Sequence, residues 1–270
     1  MPPGSEIPDV RREAALEWYV VEGRRLEARR IPARVCSRPP IVFLHEGLGS
    51  VSHWRDFPER VAAATGSEIF VYSRYGHGRS SLLQEARGGS YMHHEAAVVL
   101  PSLLKQADIR QPVLLGHSDG ASIAILYAAQ FSNSAAALIL EAPHVFVEDL
   151  TLDGIAAART AYLATDLPQK LARYHDDADR TFWGWNDIWL NPQFRFWNIE
   201  HYLDAIRCPV LVIQGEDDEY GTTRQLAAVQ ARIPASEVAL FPECKHAPHR
   251  DQPELTLRRI VPFLESLPAE

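Results

Sequence analysis

Cysteine is scarce in this chain. Cys36, Cys208 and Cys244 are the three in 270 residues, too few for a disulfide framework, and one would be left over. A reducing compartment is expected. Long apolar runs are missing too. No stretch reaches the roughly 18 residues of a membrane span, and the opening MPPGSEIPDVRREAAL has no apolar core of signal-peptide length. The expected location is cytoplasmic, with no membrane partner. An excess of positive charge is also lacking. Lys and Arg number 27 against 35 Asp and Glu, a net charge of −8. That argues against nucleic acid or an anionic membrane as the main partner. It leaves small molecules, neutral or cationic. Nothing in the composition fixes an oligomeric state.

Hydrophobic residues at 46% and charged residues at 23% give the balance of a globular chain with a sizeable core. Residues 1–13 read as a loose tail. LEWYVV and Arg24–Ile31 flank Glu22-Gly23 as a hairpin. Short continuous apolar runs then alternate with helical spacing. The runs are IVFLH from Ile41, EIFVY from Glu68, PVLL from Pro112, AALIL from Ala136, PVLVIQ from Pro209 and EVALF from Glu237. Helices are expected over Trp54–Thr65, Tyr91–Ala107, Ala121–Phe131, Thr223–Ile233 and Pro253–Leu267. This alternation predicts the α/β class, with a mostly parallel central sheet covered by helices on both faces. From His144 to Arg207 the strand signal vanishes, and four of the six tryptophans fall there, Trp183, Trp185, Trp189 and Trp197. Residues 144–207 are therefore expected to form a helical cap inserted in a core of 1–143 and 208–270. An insert at a strand's C-terminal edge lies over the ligand crevice of such sheets.

The strand PVLL leads into Gly116-His117-Ser118-Asp119-Gly120, a Gly-x-Ser-x-Gly turn ahead of a buried helix. Strand, tight turn and helix push the serine hydroxyl to the sheet edge. A free serine is a weak nucleophile and needs a base. Acids follow PVLVIQ at Glu216, Asp217 and Asp218, and histidines follow EVALF at His246 and His249. The order Ser…Asp…His fits an acyl-transfer triad, Ser118 attacking, a histidine moving its proton and an aspartate orienting the ring. His45-Glu46 and His93-His94-Glu95 fail the His-Glu-x-x-His zinc pattern, so no metal is expected. Gly47-Leu48-Gly49 lacks the third glycine of a dinucleotide loop, so no organic cofactor is expected either.

Together LLGHSDGAS, IVFLHEGLGS, VYSRYGHGRSS, VLVIQGEDDEYG and ECKHAPHRDQPE resemble the α/β-hydrolase family over nearly the whole chain from about residue 15. The resemblance implies Asp218, three after Gly215, as the acid and His246 as the base. It also implies the N–H groups of Gly47 and Asp119 as the oxyanion hole. Three positions depart from the family pattern. Glu46 replaces the glycine of His-Gly, Ser73 stands where an Asp is common, and Lys245 precedes His246 in place of glycine.

The expected activity is hydrolysis of small carboxylic esters through an acyl-enzyme. Carbon–carbon bond hydrolysis of a β-diketone-like or vinylogous substrate, cofactor-free perhydrolase chemistry, and a non-enzymatic ligand receptor are the alternatives. The Gly-x-Ser-Asp-Gly form is also similar to the valacyclovirase-type amino-acid ester hydrolases. In those the Asp after the nucleophile receives the substrate's α-amino group. Glu46, Asp119, Glu141, Asp218 and Glu219 suggest an acidic mouth. Glu46 and Glu141 are expected to bond a local N–H or an arginine such as Arg74 or Arg79. Asp119 is expected either to face a cationic substrate or to tie the cap. Glu46, Asp119, Trp183 and Trp185 are the candidate substrate-binding residues.

Overall fold

The computed structural model describes residues 16–35 and 38–267. The tail expected over residues 1–13, and Cys36, lie outside them. The hairpin comes first, with β1 (Leu16–Val21) antiparallel to β2 (Arg24–Ile31). β3 (Ile41–Leu44), α1 (Phe57–Thr65) and β4 (Ile69–Tyr72) follow. α2 (Tyr91–His94) passes through a π-turn at Glu95–Val99 into α3 (Leu100–Gln106), so the helix expected over Tyr91–Ala107 is one run in three parts. Next come β5 (Val113–His117), α4 (Asp119–Gln130) and β6 (Ala137–Glu141). The insert holds α5 (Asp149–Ala164), α6 (Leu167–Leu171) and α7 (Ala178–Trp189). β7 (Val210–Gly215), α8 (Thr223–Arg232), β8 (Glu237–Phe241), α9 (Pro248–Asp251) and α10 (Pro253–Glu265) complete the chain.

One eight-stranded sheet results, in the order β1-β2-β4-β3-β5-β6-β7-β8. Pairing is parallel from β4 onward to β8, and antiparallel at β1–β2 and β2–β4. β3 to β7 are buried along their whole length, which is why their sequences are continuous apolar runs and not alternating ones. Val42, Leu44, Leu114 and Leu140 face the core under α3 and α4. Ile41, Phe43, Val113, Leu115 and Ile139 face the other side, where α1 packs on α10. Each such side chain contributes about 1.5–3 kcal/mol relative to exposure.

Strand order reverses between β3 and β5. From β3 the chain turns outward to β4, and from β5 it runs the other way to β6, β7 and β8. The two loops that leave this point, after Leu44 and after His117, diverge and open a crevice. The insert sits above it. Ile199 N–H donates to Val145 O at 2.8 Å and Phe146 pairs with Asn198, so the insert returns to its exit point. Glu148 starts α5 with a reciprocal capping box to Thr151, satisfying otherwise orphaned N–H groups. Its carboxylate also accepts from Thr222 N–H (3.0 Å) and Gln225 Nε2 (2.8 Å). One acid thus caps the insert's first helix and fastens it to α8.

Candidate active site

Ser118 stands at φ 54°, ψ −116° between β5 and α4. Such a backbone is costly for a residue with a Cβ and persists only where its surroundings enforce it. Here Ser118 N–H donates to Glu141 O (2.9 Å). Gly120 closes the turn, since a Cβ there would collide with the Leu44 carbonyl oxygen of β3. The hydroxyl faces a cavity of about 570 Å³ between the sheet edge and the insert, within the ordinary size for small ligands.

His246 lines the same cavity. Its Nδ1 lies 2.8 Å from Asp218 Oδ1. That oxygen also accepts from Tyr220 N–H (2.8 Å) and Gly221 N–H (3.2 Å). Burial alone would raise the Asp218 pKa. The His246 ring and the backbone donors outweigh it and hold the carboxyl below its ordinary range. Asp217 is exposed on the turn. Among the described residues, Ser118 Oγ makes no hydrogen bond to His246 within 3.5 Å, a spacing that often tightens only when a ligand is bound. His249, the rival base, faces away. It is buried, with Nδ1 2.7 Å from Glu141 Oε2 and its ring against Trp54 and Phe57.

Gly47 also lines the cavity. Its N–H and that of Asp119, the first residue of α4, have no acceptor among the described residues. A Cβ at Gly47 would strike the Trp185 ring, so glycine lets the indole lie on this loop. The substitution of Glu46 for the family glycine leaves the loop well held. His45 Nδ1 donates to Glu46 O (2.7 Å) and its Nε2 accepts Arg74 N–H (3.0 Å). Arg74, fully buried, donates to Glu46 O at 2.8 Å and reaches Asp119 Oδ2 at 3.5 Å. One guanidinium therefore joins Glu46, the residue before Gly47, to the side chain of Asp119, which carries the other free N–H.

The acidic mouth needs correction. Glu46 lines the cavity, but its carboxylate lies between His53 Nδ1 (2.7 Å) and His117 Nδ1 (3.6 Å), not on Arg74 or Arg79. Burial opposes its charge, and the two rings outweigh burial and lower its pKa well below the ordinary value. His117, which burial would push down, is raised by the same contact. Glu141 holds His249. The Asp119 carboxylate is buried and absent from the cavity wall. Its Oδ2 accepts Tyr91 O–H (2.7 Å), and Tyr91 Oη accepts Trp189 Nε1–H (3.1 Å) from α7. It ties the insert and does not face a ligand. A strand's end fixes where a backbone stands. It does not fix where its side chain turns, and these three turn inward to partners.

Trp183 is the other correction. Trp185 and Trp189 line the cavity, one helical turn apart on α7. Trp183 lies two residues off that face and borders a separate groove with Leu83 and Arg87. Sequence reading missed His53, His144, Trp189 and Tyr220 as cavity residues. His144 had a signal, since it follows β6 at the crevice edge. Its ring lies 5.6 Å from that of His246, and burial lowers its pKa to about 4. It stands there as a neutral imidazole. Among the described residues, no group of three or more His, Cys, Asp or Glu is placed to hold a metal ion, and no helix is long and apolar enough to cross a membrane.

A parallel sheet with a strained serine turn at its reversal point, facing an Asp–His pair, defines a hydrolase of the α/β type. The family model described as "Alpha/beta hydrolase family" matches residues 41–259, and the chain belongs to that family. The proline iminopeptidase of Lactobacillus delbrueckii subsp. bulgaricus is 22% identical, over 86% of this chain and 92% of that protein. The sn-1-specific diacylglycerol lipase ABHD11 of Danio rerio is 22% identical, over 84% of this chain and 78% of that one. Among solved structures, the enol-lactonase from Burkholderia xenovorans LB400 superposes with a TM-score of 0.73 at 19% identity, over 93% of this chain and 100% of that chain. These relatives carry the names of different enzymes, so they support a hydrolase without fixing its substrate.

Proposed function

We propose that the chain hydrolyses small carboxylic esters through a covalent acyl-serine. The observation that carries this reading is the Asp218–His246 pair at 2.8 Å on the cavity that Ser118 faces. Ser118 Oγ attacks the ester carbonyl carbon and its proton passes to His246 Nε2, the nitrogen not engaged by Asp218. The tetrahedral oxyanion is held by Gly47 and Asp119 N–H, each such donor being worth about 10²–10³ in rate. Collapse breaks the ester C–O bond, and the leaving alkoxide takes the proton from His246. Water then attacks the acyl carbon and yields a proton to His246. That proton returns to Ser118 as the carboxylic acid leaves. Arg74 acts as a positioning residue by fixing Glu46 O against the Asp119 side chain, and the helices between β6 and β7 act as the lid.

A short-chain p-nitrophenyl ester tests this. The expected result is a burst of p-nitrophenol followed by slower turnover, with Ser118→Ala losing both while keeping its fold. Turnover retained in Ser118→Ala overturns the assignment.

A further inference from the structure

The cavity mouth has the opposite sign to the chain. Five cations line it, Arg55, Lys170, Arg173, Lys245 and Arg250, with the acids Glu46, Glu219 and Asp251. Two of the chain's three lysines are among them, in a protein of net charge −8. The acids are already occupied. Glu46 lies between two histidines, Glu219 Oε2 accepts His246 N–H (3.2 Å), and Asp251 Oδ2 accepts Lys245 N–H (2.9 Å). Four of the five cations are not. Lys170 pairs with Asp166, but Arg55, Arg173, Lys245 and Arg250 have no carboxylate within 4.0 Å among the described residues. Elsewhere Arg24, Arg60, Arg159 and Arg232 are held by carboxylates, whereas Arg25, Arg79 and Arg207 are not, among the described residues, so what sets the mouth apart is that its cations converge on one cavity.

These cations come from three separate segments. Arg55 follows β3, Lys170 and Arg173 belong to α6 and the turn after it, and Lys245 and Arg250 follow β8. Arg55 is also held at φ 56°, ψ −126°, a backbone region costly for any side chain and found where geometry is enforced. Convergence of unpaired like charges is unfavourable unless an opposite charge arrives. A concave mouth concentrates their field.

We infer that the substrate carries an anionic oxygen group, a carboxylate or a phosphate, at the end remote from the scissile ester, and that this mouth receives it. The inference rests on the acyl-serine reading and narrows its substrate to acidic esters. It also replaces the cationic ligand expected from the aspartate after the nucleophile.

Four p-nitrophenyl esters of equal length test it, tailed with a carboxylate, a phosphate, a neutral methyl ester and an amine. At low ionic strength kcat/KM on one or both anionic esters should exceed that on the neutral one by about 10- to 100-fold, the sum of several exposed pairings. The order of the two anions identifies the group. The ratio should shrink toward one as salt shortens the screening length to about 3 Å near 1 M. Arg55→Gln with Arg173→Gln should lower the ratio by at least several-fold, and Arg173→Glu should shift preference toward the amine. Arg110→Gln, a distant exposed arginine, should leave it unmoved. A neutral or amine ester turned over as well as the anionic pair overturns the inference and leaves Ser118 in place. No turnover on any ester, together with no phosphonate adduct on Ser118, overturns the acyl-serine reading itself, and with it this one.

Discussion

Two carboxylate–histidine pairs, their histidines three residues apart, sit at the same sheet edge. Asp218 with His246 and Glu141 with His249 have nearly the same bond, 2.8 and 2.7 Å from carboxylate oxygen to Nδ1. Both acids stand at or just past the C-terminal end of a parallel strand. What separates the pairs is access. The His246 side chain keeps 13% of its surface exposed and borders the cavity, whereas that of His249 keeps 4% and lies between Trp54, Phe57 and His117. The pair that reaches the serine's cavity is placed for proton transfer. The other fastens α9 to β6. An oriented imidazole is necessary for a base, and it is not sufficient without a path to the reacting atom.

Substitution at the two histidines gives the largest expected contrast. His246→Asn should lower kcat/KM by roughly 10⁴–10⁶ with little change in stability. His249→Asn should leave kcat/KM within about 10-fold. It should cost about 2–4 kcal/mol of stability, from a lost buried ring and a carboxylate left short of a donor. Thermal unfolding and steady-state rates, measured on both variants, read the two effects separately. An active His246→Asn variant would erase the distinction.

The acids should repeat the contrast at smaller scale. Asp218→Asn should cost about 10⁴ in rate, because the ring loses its orientation and its stabilised charge. Glu141→Gln should cost less than about 10-fold in rate and about 1–2 kcal/mol of stability. Equal rate losses in the two variants would mean that both pairs serve the chemistry.

Acid should loosen the fold through its buried histidines, His249 among them. Burial lowers the pKa of His249, and it brings His144 and His175 from 6.5 down to about 4. The unfolded chain therefore takes up protons between pH 6.5 and about 4 that the folded chain refuses. The stability these rings contribute is whole above pH 6.5 and falls as pH drops through that window. The loss is on the order of 1 kcal/mol per pH unit for His144 and for His175. Urea midpoints measured from pH 7.5 to 4.5 check the slope, and a flat profile contradicts neutral burial.

The smallest effect concerns a third carboxylate at the same edge, one with no histidine. Tyr91→Phe removes the hydroxyl that joins Asp119 to Trp189. About 1–2 kcal/mol of stability should go, with a change of a few-fold in rate. A preference for amine-bearing esters appearing in this variant would show that the carboxylate had been freed toward the cavity.

The sequence carried the sheet clearly because β3 to β7 are buried on both faces and announce themselves as apolar runs. The serine turn was legible because only a glycine at 120 lets α4 approach β3. Chain order at strand ends narrowed the acid and the base to a few residues, and the family resemblance pointed to Asp218 and His246 among them. Side-chain direction was not legible. Asp119, Glu46 and Glu141 share an edge with the nucleophile, yet each turns to partners that strand position does not reveal, Asp119 to Tyr91 and Arg74, Glu46 to His53 and His117, and Glu141 to His249. Trp183 and Trp185 differ by two residues and face different grooves, because helix phase depends on where α7 begins. The cationic mouth was hidden for the same reason. Its residues come from the insert and two loops, and only folding brings them together.

The most direct test compares phosphonate labelling of the native chain, His246→Asn and His249→Asn by intact mass and peptide mapping. The account predicts one adduct, on Ser118, forming at similar rates in the native chain and His249→Asn and at least about 10³-fold more slowly in His246→Asn. Labelling of His246→Asn at the native rate, or its loss in His249→Asn alone, would contradict the assignment of the base.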